Sequence, residues 1–190
     1  MKALAKIAVL LLVAYTAAYT QSCSSSSKTT TTKTTTTTKS TTSNKSAEYK
    51  KYSEKLHTQF KGTEDLALLK EISEWIGTPY KYGSNQKGVG TDCSGFVTQV
   101  YKTVYGIQLN RSSYDIIKNV DVVSRSNMKC GDILFFADDK GKIYHVGIYL
   151  GQDNFAHAAT TKNVGVKVET LNLQYYKDHF YKAGHVKGMK

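Results

Sequence analysis

Cys93 stands at the head of a helical pattern, in Thr91-Asp92-Cys93-Ser94-Gly95-Phe96, and His145 and His157 follow on two segments that alternate like strands. A thiol, an imidazole and a third polar side chain that orients the imidazole are the parts of nucleophilic catalysis by cysteine. Phe96, Val97, Val100, Tyr101 and Val104 share one helical face, and Gly106 is placed to stop the helix, so Cys93 falls in the first turn. The unpaired N–H groups and the positive dipole end found there favour thiolate, and cysteines so placed have pKa values lowered to roughly 3.5–7.5. A lone cysteine beside an N-cap Asp92 is more often a buried structural thiol. The two histidines turn it into a constellation.

His145-Val146-Gly147-Ile148-Tyr149-Leu150 alternates with Val146, Ile148 and Leu150 on one face and His145, Gly147 and Tyr149 on the other. Gly151-Gln152-Asp153-Asn154 reads as a turn, and Phe155-Ala156-His157-Ala158 alternates again. A hairpin centred near Gly151 places His157 opposite His145, with Cβ atoms about 4.5–5.5 Å apart; a longer loop shifts the pair by one or two residues. Cys93, His145 and His157 as three zinc ligands would lack any Cys-x-x-Cys or His-x-x-x-His partner, so no metal site and no cofactor are expected. The loop from Gly83 to Gly90 lacks the Gly-Lys-Ser/Thr ending of a phosphate cradle and is expected to form a rim beside the cleft.

Several stretches resemble the NlpC family of bacterial cell-wall cysteine peptidases: Trp75-Ile76-Gly77-Thr78-Pro79-Tyr80-Lys81-Tyr82-Gly83, Asp92-Cys93-Ser94-Gly95-Phe96-Val97, Leu109-Asn110-Arg111-Ser112-Ser113, Gly131-Asp132-Ile133-Leu134-Phe135-Phe136, His145-Val146-Gly147-Ile148-Tyr149 and Phe155-Ala156-His157-Ala158. They fall in order, and the resemblance as a whole covers about Thr63 to Lys187. The resemblance implies a papain-like α+β fold, with Cys93 as nucleophile, His145 as general base and His157 as the orienting third residue. It also implies that Tyr80 joins the backbone N–H of Cys93 in binding the oxyanion, with Tyr82 a competing candidate, and that Asp92 and Ser94 contact the free amine end of a stem peptide. An N-cap role for Asp92 is compatible with that contact. Ser84 departs from the family's pattern where many members carry a second glycine, and Cys130 stands where a proline or small residue is usual; neither belongs to the implied triad.

Lys2 and Lys6 flank an apolar run from Ile7 to Ala18, too short for the roughly 20 residues of a membrane span and suited to a secretory signal. Cys23 after Thr20-Gln21-Ser22 resembles a bacterial lipoprotein cleavage site, in which Cys23 becomes the acylated first residue; Thr20 and Gln21 depart from the usual pattern, and cleavage to a freely secreted form is the alternative. Ser24 to Ser46 is almost entirely Ser, Thr and Lys and has no large apolar side chain to offset the entropy of ordering. Taken as flexible to Gly62, it makes a tether with a reach of roughly 35 Å. Tyr49, Tyr52, Leu56 and Phe60 give a broken helical spacing, expected to be a lead-in that packs on the domain. The expected organisation is a signal peptide over 1–22, a tether and lead-in over 23–62 and a catalytic domain over 63–190.

The formal charge is +11, but eight lysines against two glutamates lie between Ser24 and Gly62, and from Thr63 onward there are 16 basic and 13 acidic residues. A mildly basic domain with no base-reading motif excludes nucleic acid as partner, and the lysines of the tether suit anionic lipid or wall polymer. Asp65 to Ile76 reads as a helix burying Leu66, Leu69, Ile72 and Ile76; a short helical piece is expected at Ser113 to Lys118, and strands at Ile133 to Phe136, Tyr144 to Leu150, Asn154 to Ala158 and Val166 to Leu171. Helices followed by an antiparallel meander give an α+β domain with the cysteine helix packed on the sheet. The resemblance implies a monomeric cysteine endopeptidase in the bacterial envelope, held to a membrane by its lipid (the outer membrane, facing the periplasm, in a Gram-negative host). Its implied substrates are peptidoglycan stem peptides or cross-links, cut at D-glutamyl or diaminopimelate bonds. The alternatives are a catalytically silent protein that binds wall peptides, or an amidase or acyltransferase built on the same triad.

Overall fold

The computed structural model describes residues 38–160 and 165–189. In chain order its elements are helices α1 (Thr38–Lys55) and α2 (Leu66–Trp75), a small hairpin of β1 (Asn85–Gln86) and β2 (Gly90–Thr91), helix α3 (Cys93–Tyr105), strands β3 (Val120–Val123), β4 (Ile133–Ala137), β5 (Ile143–Gly151), β6 (Asn154–Ala159) and β7 (Gly165–Thr170), helix α4 (Gln174–His179) and strand β8 (Phe180–Val186). The large sheet is antiparallel throughout, in the order β3-β8-β4-β5-β6-β7.

The unbroken apolar run of β4 follows from its position inside the sheet. Ile133 and Phe135 join the core shared with α2 and α3, while Leu134 and Phe136 join a second cluster with Tyr176 of α4, so both faces of the strand are covered. Asp65 starts α2 by accepting the N–H of Ala67 at 2.8 Å. Its buried stripe is Leu68, Leu69, Ile72 and Trp75, turned from the expected one because the Trp75 ring meets Phe96 edge-on and its indole N–H is satisfied by Glu71 at 2.8 Å. Leu66 and Ile76 pack at the margin of the core. The expected face of α3 is buried at Phe96, Val97, Val100 and Tyr101, with Val104 beside them, and the helix packs on β5 and β6.

Four of the six strands form the expected meander. Strands β3 and β8, helix α4 and the β1-β2 hairpin were not anticipated, and the short helical piece expected near 113–118 is a 3-10 turn at Ile116–Asn119. Strand β8 sits between β3 and β4 although Lys182, Gly184 and His185 give it no apolar alternation.

The β5-β6 register differs from the expected one. Ile148 pairs with Ala156, Tyr149 with Phe155 and, past an irregularity, Gly151 with Asn154, so continuation of the ladder puts Gly147 opposite His157. The turn is Gln152-Asp153, both at positive φ (53° and 60°), and the odd residue is absorbed as a bulge at Leu150. The shift is two residues, and an even shift keeps every side chain on its face, so the two histidines still share one. A Cβ on Gly147 would lie 2.8 Å from the Phe155 ring and 3.3 Å from Cβ of His157. Glycine here is what lets those side chains lie across β5.

The lead-in belongs to the core. Tyr52 and Leu56 are buried in the main cluster, with Tyr49 and Phe60 packed against it, and the Tyr49 hydroxyl donates to the Glu64 carbonyl at 2.6 Å. Free chain therefore does not extend to Gly62: these four apolar side chains supply the burial that the Ser/Thr/Lys stretch lacks. The apolar run at Ile7–Ala18, Cys23 and the chain up to residue 37 lie outside the described residues. Leu56→Ala should lower stability by about 2–5 kcal/mol in denaturant unfolding, as for a fully buried leucine; a change near zero would make this segment a mere tether.

Candidate active site

Cys93 is the first residue of α3, and the residue before it builds the helix start. One oxygen of Asp92 accepts the Gly95 N–H at 2.6 Å, and the other accepts the Gly83 N–H at 2.8 Å, which draws the Tyr80-to-Gly83 segment against the helix. Gly95 is required by a close approach: a Cβ there would sit 2.3 Å from the Ser84 carbonyl oxygen. Two clefts meet at Cys93. One, of about 400 Å³, is lined by Tyr80, Cys93, His145, His157, Glu169 and Tyr176 among others. The second, of about 630 Å³, is lined by Asp92, Ser94, Arg111 and Tyr82, and shares Tyr80, Cys93 and Tyr144 with the first.

Burial pushes the Cys93 thiol above its ordinary pKa, against the backbone N–H groups of Val146, Ser94 and Cys93 itself that favour the thiolate. The helix-start lowering expected from position alone is outweighed, because the side chain is almost wholly out of water. His145 is held neutral by the same cause: burial first, then the neighbouring His157, depress it to about 3 despite the Glu169 charge. Its ring lies against Phe136, and that of His157 against Phe155 and Tyr176. The resting pair is thus thiol and imidazole, and His145 can act as a base that takes the thiol proton during attack.

The two histidines are hydrogen-bonded, His145 Nε2 to His157 Nδ1 at 2.9 Å, as diagonal neighbours across the ladder. On its other side His157 Nε2 meets Glu169 Oε2 at 2.9 Å. Glu169 also accepts from Lys167 at 2.7 Å and from the Tyr176 hydroxyl. Burial raises its pKa, but the bonds from His157, Lys167 and Tyr176 prevail and hold it at about 2. Neither Glu169 nor Tyr176 was among the residues expected from sequence. The available signal was the alternation Val166-Lys167-Val168-Glu169, which puts Lys167 and Glu169 on the non-core face of a strand following His157.

The structure separates the two tyrosines. Tyr80 faces both clefts, and its backbone bridges to Thr91, whose N–H reaches the Pro79 carbonyl at 2.9 Å; Tyr82 is 88% exposed. Asp92 and Ser94 are buried and already engaged. Arg111 grips both oxygens of Asp92 at 2.9 and 2.7 Å and donates to the Ser94 hydroxyl at 2.6 Å, while Ser94 donates to Asp92 at 3.1 Å. Any further cation reaching Asp92 has to share it with Arg111. Burial works against the Asp92 charge, but Arg111 and the Gly95 and Gly83 N–H groups hold its pKa below the usual carboxylate range. Cys130 lies away from both clefts, its thiol pushed to about 12 by burial and by Glu64, Asp132 and Asp65. Among the described residues, no group of three or more His, Cys, Asp or Glu side chains is arranged to hold a metal ion.

The neutral histidine has a consequence for stability. With a folded pKa of about 3 against an ordinary 6.5, the unfolded chain binds the extra proton between those values, so stability falls as pH drops below about 6.5. Glu169, depressed from 4.5 to about 2, adds to the loss below about 4.5. The thermal midpoint should fall from pH 7 to pH 4.5, and less steeply in His145→Gln; each proton contributes at most about 1.4 kcal/mol per pH unit. Equal slopes in the two proteins would mean that His145 titrates normally in the fold.

Residues 77–185 match the model of the NlpC/P60 family. A murein DD-endopeptidase/murein LD-carboxypeptidase of Escherichia coli, MepS, is 38% identical over 120 residues, spanning 63% of this chain and 61% of its own length. A gamma-DL-glutamyl hydrolase of Bacillus subtilis is 34% identical over 116 residues, 60% of this chain and 28% of its own. Among solved structures, the NlpC/p60 domain of the peptidoglycan hydrolase SagA superposes with a TM-score of 0.55 at 32% identity, covering 63% of this chain and 97% of that domain. A Bacillus cereus protein of the same family gives 0.59 at 31% identity, covering 63% of this chain and 39% of its own. With the cysteine helix, the histidine-bearing hairpin and the family match all lying within one stretch of sequence, the chain belongs to the NlpC/P60 family.

Proposed function

We propose that this protein is a cysteine endopeptidase of peptidoglycan, cutting stem peptides or their cross-links at bonds made by D-glutamate or diaminopimelate. The observation that carries the reading is the presence of Cys93, His145, His157 and Tyr80 around one cleft. The activities named for the murein and glutamyl hydrolases, 38% and 34% identical to this chain over 120 and 116 residues, support the substrate class. In this reading His145 takes the Cys93 proton as sulfur attacks the scissile carbonyl. The oxyanion is met by the Cys93 N–H and the Tyr80 hydroxyl, collapse expels the amine with the proton from His145, and water hydrolyses the thioester. Asp92 and Ser94 bind substrate from the floor of the second cleft, acting as a unit with Arg111. Cys23, acylated, would hold the domain at a membrane of the bacterial envelope, within reach of the wall.

Mass analysis of stem peptides and cross-linked muropeptides incubated with the protein tests the reading and identifies the bond. Cys93→Ala should leave folding intact and abolish cleavage, and Cys130→Ser should retain it. Iodoacetamide at pH 8 should label Cys93 ahead of Cys130, whose thiol sits near 12. Binding of intact peptides without any cleavage by wild type would make the protein a silent wall-peptide binder.

Tyr80→Phe removes one oxyanion donor and should lower kcat by about 10²–10³. Tyr82→Phe, at a side chain 88% exposed, should stay near wild type. Equal rates for the Tyr80 variant and wild type would end that role.

A further inference from the structure

Glu169 is the terminus of a hydrogen-bonded line that runs Glu169, His157, His145 and stops at the cleft shared with Cys93. We infer that Glu169 is a positioning residue that fixes the tautomers of both histidines and so leaves the Nδ1 lone pair of His145 free to act as the base. The inference rests on the reading of Cys93 and His145 as nucleophile and base.

Its logic is donor against acceptor. A carboxylate can only accept, and Glu169 Oε2 is 2.9 Å from His157 Nε2, so that nitrogen carries the hydrogen. A neutral imidazole has one N–H, so His157 Nδ1 is bare and accepts from His145 Nε2 at 2.9 Å. His145 therefore bears its hydrogen on Nε2, and Nδ1 is its only basic atom. With His157 buried and His145 half-buried beside the cleft, both pKa values are lowered, and a neutral line requires this strict alternation.

Glu169 is in turn held from both sides. Tyr176 donates to Oε2, the oxygen that His157 uses, and Lys167 donates to Oε1 at 2.7 Å. Lys167 faces His157 across the β6-β7 ladder, and Tyr176 comes from α4, so two further elements converge on one carboxylate. Lys167 decides what an amide would do in its place. In Glu169→Gln the ammonium requires the amide oxygen beside it, which turns the NH₂ toward His157. Nε2 of His157 must then accept, its hydrogen moves to Nδ1, and His145 is forced to carry its own hydrogen on Nδ1, where the base is needed.

The test is nitrogen NMR of protein labelled with 15N-histidine, at neutral pH, together with steady-state kinetics on a stem peptide. In wild type, His145 Nδ1 and His157 Nδ1 should be pyridine-like and both Nε2 atoms pyrrole-like. Glu169→Gln should reverse all four and lower kcat by between about 10²- and 10⁴-fold, the range from misplacement alone to a wrong tautomer, with KM little changed. Lys167→Met combined with Glu169→Gln frees the amide to turn its oxygen to His157 and Tyr176, and should recover at least about tenfold in kcat with the wild-type nitrogen pattern. A pyrrole-like Nδ1 on His145 in wild type overturns the inference without any variant, as does a fully active Glu169→Gln. If wild type cleaves no wall peptide, the proposed activity fails while the ring nitrogens still report on the line itself.

Discussion

Three stretches of chain, 3, 9 and 19 residues from it in sequence, meet on the carboxylate of Asp92. It caps α3 through Gly95, fixes the loop after Tyr80 through Gly83 and binds the guanidinium of Arg111 with both oxygens. Each of these contacts sets the position of something at the clefts. The cap defines the first turn and so the direction of the Cys93 side chain. The Gly83 bond keeps Tyr80 beside the thiol, and the arginine closes the floor of the second cleft over Ser94. A buried carboxylate left without these partners would be costly, so the three segments are ordered together or not at all.

The other half of the site is built by exclusion of water. Phe136, Phe155 and Tyr176 enclose the two histidines on the face of the sheet away from α3, and the absence of a side chain at Gly147 lets His157 and Phe155 lie across β5. Neutral rings in such a place can be oriented by hydrogen bonds alone, with the Glu169–Lys167 ion pair at the outer end. The cost is a thiol that is harder to ionise.

What was legible in the sequence was whatever repeats within one element. The stripe of α3 located Cys93 on a helix start, and the period of two put His145 and His157 on one face. That survived a two-residue error in register because an even shift preserves faces. Glu169 was not legible: its meeting with His157 depends on the β6-β7 register, and Tyr176 approaches from a six-residue helix with no periodic signal. Arg111 lies 19 residues from Asp92 in an irregular stretch, so only the folded loop brings them together. Strand β8 was missed because Gly184 and the polar residues around it hide a mid-sheet position. Helix α1 hid within a composition that on its own does not order, and its few apolar residues become decisive only once the core is there to receive them.

The lead-in after α1 grips the turn end of the β5-β6 hairpin: Gln152 donates to the Gln59 carbonyl and Asn154 to that of His57. On the same two strands His145 lies six residues from Gly151 and His157 three from Asn154, about 20 and 10 Å from the turn at roughly 3.3 Å per residue. A pull on the chain from its amino-terminal side is therefore borne first by Leu56, Tyr52 and those side-chain bonds. The amino-terminal attachment therefore joins two parts of the fold, the core cluster that receives Tyr52 and Leu56 and the hairpin end that donates to His57 and Gln59.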